Sequence, residues 1–171
     1  MAIIRITQAN AQHFNEILEI MNFEIVNKTS LYDYKERNLD DVAQIFASKK
    51  NKNFPFFVAL ANNQVIGYAY YDAYNPKQGY KYTVEHSIYI KQGFEGKGVG
   101  KILMQNLIHT AQKQQIKTFI ALIDNKNEAS IKFHEKFNFE TVGILKEVGY
   151  KFDQWLDCRI MQLMVNKNSQ L

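Results

Sequence analysis

Cysteine is nearly absent from this sequence, and long apolar runs are absent altogether. Cys158 is the one cysteine among 171 residues, so an internal disulfide is excluded. It lies in the apolar run from Trp155 to Val165, where we expect a buried thiol that packs as a small hydrophobe. No run approaches the roughly 20 apolar residues that span a bilayer. The N-terminus is too short and wrongly flanked for a signal peptide. We therefore expect a cytoplasmic protein with no membrane partner.

The sequence also lacks a cluster of charge of one sign. Its formal net charge is +4 and its isoelectric point is about 9.0, but acids are interleaved with the lysines and arginines. This pattern does not form the basic stripe of a nucleic-acid-binding protein, so no nucleic-acid partner is predicted. The mild positive charge would equally suit an anionic cofactor. The four histidines lack the spacing of zinc ligands, and no metal site is predicted.

Hydrophobic periodicity predicts one domain of the α/β (α+β) class over residues 1–165, with a frayed tail at 166–171. The predicted order of elements is β-α-α-β-β-β-α-β-α-β-β. A central antiparallel meander is followed by a crossover helix, so the sheet should be mixed. The predicted strands cover residues 3–7, 56–60, 65–71, 80–90, 118–123, 139–148 and 150–165. The predicted helices begin after Asn10, at Asp40, after the glycine-rich loop described below, and at Asn127.

Residues 87–101, Ser-Ile-Tyr-Ile-Lys-Gln-Gly-Phe-Glu-Gly-Lys-Gly-Val-Gly-Lys, have the pattern of a strand, a glycine-rich loop and the start of a helix. Glycine lacks a Cβ atom, so the loop backbone can turn sharply and lie close to a ligand. The first turn of the following helix offers unpaired N–H groups and the positive end of the helix dipole. Lys97 and Lys101 add positive charge. The segment therefore predicts a phosphate or pyrophosphate site.

Together with three other segments, this loop resembles the GNAT superfamily of N-acetyltransferases, and within it the phosphinothricin and methionine sulfoximine N-acetyltransferases. The four segments occur in the family's order and are residues 80–90, 95–100, 127–139 and 148–157. The resemblance covers nearly the whole chain. It implies a twisted, mostly antiparallel sheet flanked by helices, in which two central strands splay after a bulge. It also implies acetyl-CoA as co-substrate, direct transfer to an amine without a metal, and a homodimer.

The resemblance also assigns residues to the coenzyme. The pantetheine arm is expected along the backbone of Ile88, Tyr89 and Ile90. The pyrophosphate is expected on Gly96, Lys97, Gly98, Val99, Gly100 and Lys101, and Asn127 is a further expected contact.

Two residues depart from the family pattern. Glu95 stands where Arg or Gln is usual, so we expect its carboxylate to point to solvent, with Lys97 and Lys101 compensating its charge. Asn138 stands where Gly is usual, and we expect a left-handed backbone there.

Two residues are candidates for the chemistry. Glu85 lies in mid-strand among apolar residues, and burial raises the pKa of a carboxyl group and makes it a better base near neutral pH. The resemblance gives this position the role of base, directly or through water. The alternative is a strand carboxylate hydrogen-bonded to Thr83 or a lysine. His134 occupies a position where related enzymes have Tyr or His, and it could protonate the departing thiolate, orient the substrate or be structural. His86 alternates to the opposite strand face and is interpreted as a packing residue.

The acceptor should lie across the splay from the coenzyme, between the loop at 27–34, the segment at 80–83 and the hairpin around Lys151. The candidate acceptor-binding residues are Tyr32, Lys81, Tyr82, Thr83 and Lys151. The sequence thus predicts an N-acetyltransferase acting on the α-amine of a small polar amino acid such as methionine sulfoximine, methionine sulfone or phosphinothricin. Two alternatives stay open: acetylation of a polyamine or a protein N-terminus, and a non-catalytic acyl-CoA-binding module. A nucleotide-phosphate loop is disfavoured because Lys101 is followed by Ile102 instead of Ser or Thr.

Overall fold

The computed structural model describes residues 3–165, and within them the predicted order of strands and helices is confirmed. The strands are β1 (Arg5–Gln8), β2 (Phe56–Ala61), β3 (Gln64–Ala73), β4 (Thr83–Ile90), β5 (Thr118–Asp124), β6 (Glu140–Lys151) and β7 (Gln154–Met164). The α-helices are α1 (Phe14–Asn27), α2 (Leu39–Asn51), α3 (Val99–Lys113) and α4 (Glu128–Glu135). The predicted tail at 166–171 lies outside the described residues.

The strands form one open sheet in the order β1-β2-β3-β4-β5-β7-β6. Every neighbouring pair is antiparallel except β4 and β5, which are parallel and are joined by the crossover helix α3. The apolar side of α3 packs on one face of the sheet, with Leu103 and Leu107 fully buried. The other face is covered by α1 and α2, from which Ile17 and Val42 reach a second core cluster. The predicted mixed, mostly antiparallel sheet is therefore confirmed.

The predicted splay of the central strands is also present. Strand β4 pairs with β3 as far as Ile90, and β5 pairs with β7 as far as Asp124. The β4–β5 ladder, however, ends at the pair formed by Glu85 and Ile120. The register of β3 with β4 contains no shift, so the expected bulge is not found there. The opening forms because β4 and β5 each follow their outer neighbour and diverge.

Two boundaries differ from the sequence prediction, and both differences have a local cause. Strand β4 begins at Thr83 because Gln78–Tyr80 forms a 3₁₀ turn, which leaves Tyr82 exposed. The break between the last two strands was expected at Gly149, but β6 continues to Lys151 and the turn is made by Phe152 and Asp153 in the left-handed region.

Gly149 has a different role within β6. A Cβ atom there would overlap Cε2 of Tyr32, so glycine permits the ring to rest on the strand.

Candidate functional site

A cavity of about 890 Å³ opens where β4 and β5 diverge. Residues 87–90 of β4 form one wall and residues 121–124 of β5 form the facing wall. Beyond Glu85 neither strand pairs with the other, so backbone N–H and C=O groups on the facing edges can bond to an extended ligand. The predicted pantetheine contacts Ile88, Tyr89 and Ile90 all line this cavity. An amide-containing arm therefore fits the site.

The outer end of the cavity carries the predicted pyrophosphate loop. Gly96 and Gly98 have φ angles of 72° and 84°, in the left-handed region that favours glycine. Gly98 is the N-cap residue of α3, whose first turn contains no acidic residue. The first N–H groups of that helix have no intrahelical partner, and Gly100 and Lys101 also line the cavity. This end can bind an anionic diphosphate through backbone groups and one lysine.

Three other loop residues are placed differently from the prediction. Val99 is buried in the core, and the Lys97 ammonium lies 4.8 Å from the centre of the Phe94 ring; neither residue lines the cavity. Glu95 does line it, with a half-exposed carboxylate whose Oε2 accepts the Gly93 N–H at 2.7 Å. The cation beside Glu95 is Lys28, with Nζ 3.8 Å from Oε1. The Glu95 side chain is thus exposed, as expected, but the lysine beside its carboxylate is Lys28 and not Lys97 or Lys101.

Two asparagines flank α4. Asn127 lines the cavity and caps α4, because its side-chain oxygen accepts the Ser130 N–H at 3.0 Å. Asn138 follows α4 with a φ angle of 64°, which confirms the left-handed backbone expected where the family usually has glycine.

Glu85 lies at the closed end of the splay. It forms the last β4–β5 pair, and Ser87, two residues further on the same strand face, lines the cavity. Burial raises the pKa of Glu85, and the negative charge of Asp72 on β3 raises it further. Within residues 3–165 we find no hydrogen bond or ion pair to the Glu85 carboxylate, from Thr83, a lysine or any other group. The raised pKa makes this carboxyl group a stronger base than an ordinary exposed glutamate.

His134 is buried at the same end, and both of its ring nitrogens are engaged by the protein. Nδ1 lies 2.7 Å from the Ser130 carbonyl oxygen, and Nε2 lies 2.9 Å from Nε2 of His86. Both histidines are less than 10% exposed and both line the cavity. The interpretation of His86 as a buried packing residue is confirmed, but its bond to His134 was not foreseen. A polar residue on the apolar face of β4, opposite Glu85, was the signal for it.

The predicted acceptor-binding residues do not come together in one place. None of the five lines the cavity. Tyr32 packs on Gly149, and burial of the ring raises its pKa to about 12. Lys151 is buried and donates from Nζ to the carbonyl oxygens of Lys28, at 2.8 Å, and Leu31. It therefore ties the loop after α1 to the β6–β7 hairpin and has little donor capacity left for a substrate.

The other three acceptor candidates lie at the start of β4. Lys81 is exposed with its ammonium 4.9 Å from the centre of the Tyr82 ring, and Thr83 is the first strand residue. The β6–β7 hairpin lies at the other end of these strands. Asp124, the last residue of β5, pairs with Cys158, and the hairpin turn extends beyond that pair. The prediction that Lys81 and Lys151 form walls of one pocket is therefore not supported by their placement.

Sequence reasoning missed a polar group on the cavity wall at the end of α1. Glu24 is buried there, with Oε1 2.7 Å from Lys28 Nζ and Oε2 2.5 Å from Ser30 Oγ. All three residues line the cavity. The available signal was a carboxylate between Met21 and Ile25 on the apolar stripe of the helix, where an acid is retained only with partners.

The model of the acetyltransferase (GNAT) family matches residues 15–139 of this chain. The L-methionine sulfoximine/L-methionine sulfone acetyltransferase of Pseudomonas paraeruginosa is 37% identical over 148 residues, which are 86% of each chain.

Two solved structures superpose closely. An N-acetyltransferase from Staphylococcus aureus Mu50 has a TM-score of 0.94 and 41% identity, covering 96% of this chain and 100% of that one. A phosphinothricin acetyltransferase from Sinorhizobium meliloti, in complex with AcCoA, has a TM-score of 0.93 and 30% identity, covering 98% of this chain and 91% of that one.

Proposed function

Because this chain belongs to the acetyltransferase (GNAT) family, we propose that it acetylates the α-amine of a small polar amino acid such as methionine sulfoximine, methionine sulfone or phosphinothricin. It is an N-acetyltransferase, and its co-substrate is acetyl-CoA. The observation that carries the proposal is one cavity with a glycine-rich loop at its mouth, together with an unengaged carboxylate, Glu85, which lies just beyond the cavity lining in the last β4–β5 pair.

The coenzyme would be held mainly by backbone groups. Residues 88–90 of the free β4 edge would hold the pantetheine arm, and Gly96, Gly98 and the N–H groups at the start of α3 would hold the pyrophosphate. Lys101 and Asn127 add polar contacts, whereas Lys97 would contribute positive charge and Val99 its N–H group. When bound, acetyl-CoA supplies the acetyl group activated as a thioester.

Glu85 prepares the acceptor for attack. An α-ammonium group has no lone pair, so it must lose a proton before its nitrogen can act as a nucleophile. The ionised Glu85 carboxylate takes that proton, directly or through one water, and its raised pKa makes it a stronger base than an ordinary surface carboxylate. His134, with both nitrogens engaged, acts by holding α4 in place beside the reacting groups.

The acceptor would approach from the side of α1 and α2, on the strand face that carries Glu85. Tyr32 is a candidate for direct contact, and Lys151 acts through the loop that it anchors. Thr83 lies two residues before Glu85 on the same face, so Thr83, Lys81 and Tyr82 are candidates for the polar end of a longer acceptor.

We also propose a homodimer and a cytoplasmic location. Apolar side chains are exposed on the edge strand β6 and on β7, among them Val148 and Trp155. Such an exposed apolar surface supports the proposal that a second copy of the chain covers it. Acetyl-CoA is drawn from intracellular pools, which supports the location. No helix within the described residues is long and apolar enough to cross a bilayer.

A free-thiol assay with acetyl-CoA and a panel of amines tests the acceptor. The panel contains methionine sulfoximine, methionine sulfone, phosphinothricin, spermidine and a peptide, and we expect the highest kcat/KM with one of the first three. A highest value with spermidine or the peptide would move the proposal to the alternative acceptors. Binding of acetyl-CoA without thiol release from any amine would identify an acyl-CoA-binding module.

A further inference from the structure

The two buried histidines form one hydrogen-bonded unit that joins β4 to α4. His86 follows Glu85 directly on β4, and His134 lies on α4, 48 residues further along the chain. Their Nε2 atoms are 2.9 Å apart, and each Nδ1 faces a backbone carbonyl oxygen: Ile120 for His86, at 3.2 Å, and Ser130 for His134, at 2.7 Å. The rings of Phe119, Phe133 and Phe139 surround the pair.

The number of ring protons determines which contacts of this unit are hydrogen bonds. Each of the three contacts needs one ring proton, but two neutral imidazoles carry only two. Burial lowers the pKa of both rings, that of His86 well below its usual range, so a third proton is disfavoured. One contact must therefore be given up, and the longest is that of His86 with Ile120. His134 then donates from Nδ1 to Ser130, and His86 donates from Nε2 to Nε2 of His134.

The hydrogen bond between His86 and His134 lies where β4 and β5 stop pairing with each other. The β4–β5 ladder ends at Glu85 and Ile120, and His86 is the next β4 residue. Beyond that pair the cavity wall opposite β4 includes the N-cap residue Asn127 and α4 itself, which contributes Ser130 and His134. The inter-ring bond is a fixed link between β4 and this helix at the closed end of the splay.

We propose that His86 is a positioning residue for acetyl transfer, which holds His134 and α4 at the distance from β4 that the pantetheine arm requires. The inference rests on the proposed use of the cavity for acetyl-CoA, but not on the identity of the acceptor amine. The link depends on one donor atom, Nε2 of His86. Variants that both lack the imidazole ring but differ in whether they keep a donor at that position therefore separate the loss of the hydrogen bond from the loss of ring volume.

Two amide substitutions at His86 distinguish a hydrogen-bond donor at the Nε2 position from one at the Nδ1 position. In His86→Gln the side-chain amide nitrogen reaches the position of Nε2 and can still donate to His134. In His86→Asn the amide nitrogen reaches only the position of Nδ1, near Ile120. We expect His86→Gln to keep the acetyl-CoA dissociation constant within about threefold of the parent. We expect His86→Asn to weaken it, and to lower kcat, on the order of 10- to 100-fold, with a smaller change in acceptor KM.

Calorimetry with acetyl-CoA alone and long-range ¹H–¹⁵N spectra of ¹⁵N-histidine-labelled protein provide the test. The parent should show His86 as the Nε2–H tautomer and His134 as the Nδ1–H tautomer. An Nδ1–H tautomer of His86, or equal acetyl-CoA affinities in the two variants, would overturn the proposal. Neither measurement uses an acceptor, so failure of every amine in the panel would count against the proposed acceptor and leave this test intact. Thermal unfolding of both variants identifies any loss that comes from stability alone.

Discussion

At the scale of single residues, the proposed mechanism depends on one carboxyl group, that of Glu85, for which no hydrogen bond or ion pair is found within residues 3–165. Glu85→Gln preserves size and shape but cannot accept a proton from the acceptor ammonium. A positioned base contributes on the order of 10²–10⁴-fold, so we expect kcat at pH 7 to fall roughly 100-fold or more. The acetyl-CoA dissociation constant should change little. Steady-state kinetics and calorimetry check both values, and parent-like turnover would remove Glu85 from the mechanism.

The loss in Glu85→Gln should shrink as the pH rises, because solvent then deprotonates the acceptor amine without help. A structural hydrogen-bonding role predicts the opposite: glutamine would preserve much of the activity, and the pH profile would keep its shape. The profile of kcat/KM for parent and variant between neutral and alkaline pH distinguishes the two roles.

If Glu85 is the base, Asp72 should contribute, after burial, to the acid side of the pH profile. Burial raises the pKa of Glu85 and the charge of Asp72 adds to that rise, so the base is lost by protonation at a higher pH than for an ordinary glutamate. Asp72→Asn removes the negative charge, which lowers the pKa of Glu85 and should move the acid limb of kcat/KM to lower pH. When Asp72→Asn is combined with Glu85→Gln, the pH profile of the residual kcat/KM should match that of Glu85→Gln alone. A shift that persists without Glu85 would assign the limb to another group.

At the scale of elements, the glycine loop offers a matched pair of positions. Gly93 and Gly98 both have positive φ angles, 86° and 84°, and a Cβ atom at either would meet nothing within 4 Å. Only Gly98 lines the cavity. Aspartate therefore adds similar backbone strain and the same charge at both, but opposes a pyrophosphate at one.

We expect Gly98→Asp to weaken acetyl-CoA binding at least tenfold, and Gly93→Asp to change it much less. Calorimetry measures both, and Gly98→Asn separates the effect of charge from that of strain. Equal affinities for the two aspartate variants would show that this loop does not hold the pyrophosphate.

The β6–β7 hairpin and the loop after α1 are fitted to each other at Gly149. A methyl group there would overlap the Tyr32 ring, so Gly149→Ala should cost about 1–3 kcal/mol of unfolding free energy and raise acceptor KM. Denaturant unfolding measures the first and steady-state kinetics the second. Tyr32→Ala removes the ring, and in that background Gly149→Ala should be close to neutral. A full cost in both backgrounds would mean that backbone strain, and not the ring, excludes alanine.

The elements were readable from the sequence, whereas the contacts between them were not. Glycine spacing and helix caps are local, so the glycine-rich turn before α3 and the left-handed Asn138 could be predicted. Alternation along β4 put His86 on the face opposite Glu85, but a period of two says nothing of a helix 48 residues away. Lys151 similarly carried the composition of a substrate ligand, and only the tertiary fold shows its ammonium bonded to carbonyls 120 and 123 residues distant.

At the scale of the whole molecule, the elements proposed to support the acceptor extend to the edge of the sheet. Lys151 ties the loop after α1 to the β6–β7 hairpin, and Tyr34 donates to the Tyr150 carbonyl oxygen nearby. Strand β6 is the last strand of the sheet and leaves apolar side chains such as Val148 exposed. An exposed apolar edge strand of this length is a liability unless another surface covers it. A dimer through β6 would cover it and support the acceptor site at once.

Val148→Lys and Val26→Lys provide the test of that dimer, because the two valines are 54% and 49% exposed and only the first lies on β6. We expect the parent to sediment at about twice the 20.0 kDa chain mass, Val26→Lys to remain dimeric and Val148→Lys to dissociate. The dissociated variant should show a higher acceptor KM with nearly unchanged acetyl-CoA affinity, because in the proposed arrangement the hairpin supports the acceptor side, whereas β4 and α3 hold the coenzyme. A monomeric parent, or a dimer that survives Val148→Lys and dissociates in Val26→Lys, would place the interface elsewhere or exclude it. Loss of acetyl-CoA affinity on dissociation would instead link the dimer to the coenzyme half of the cavity.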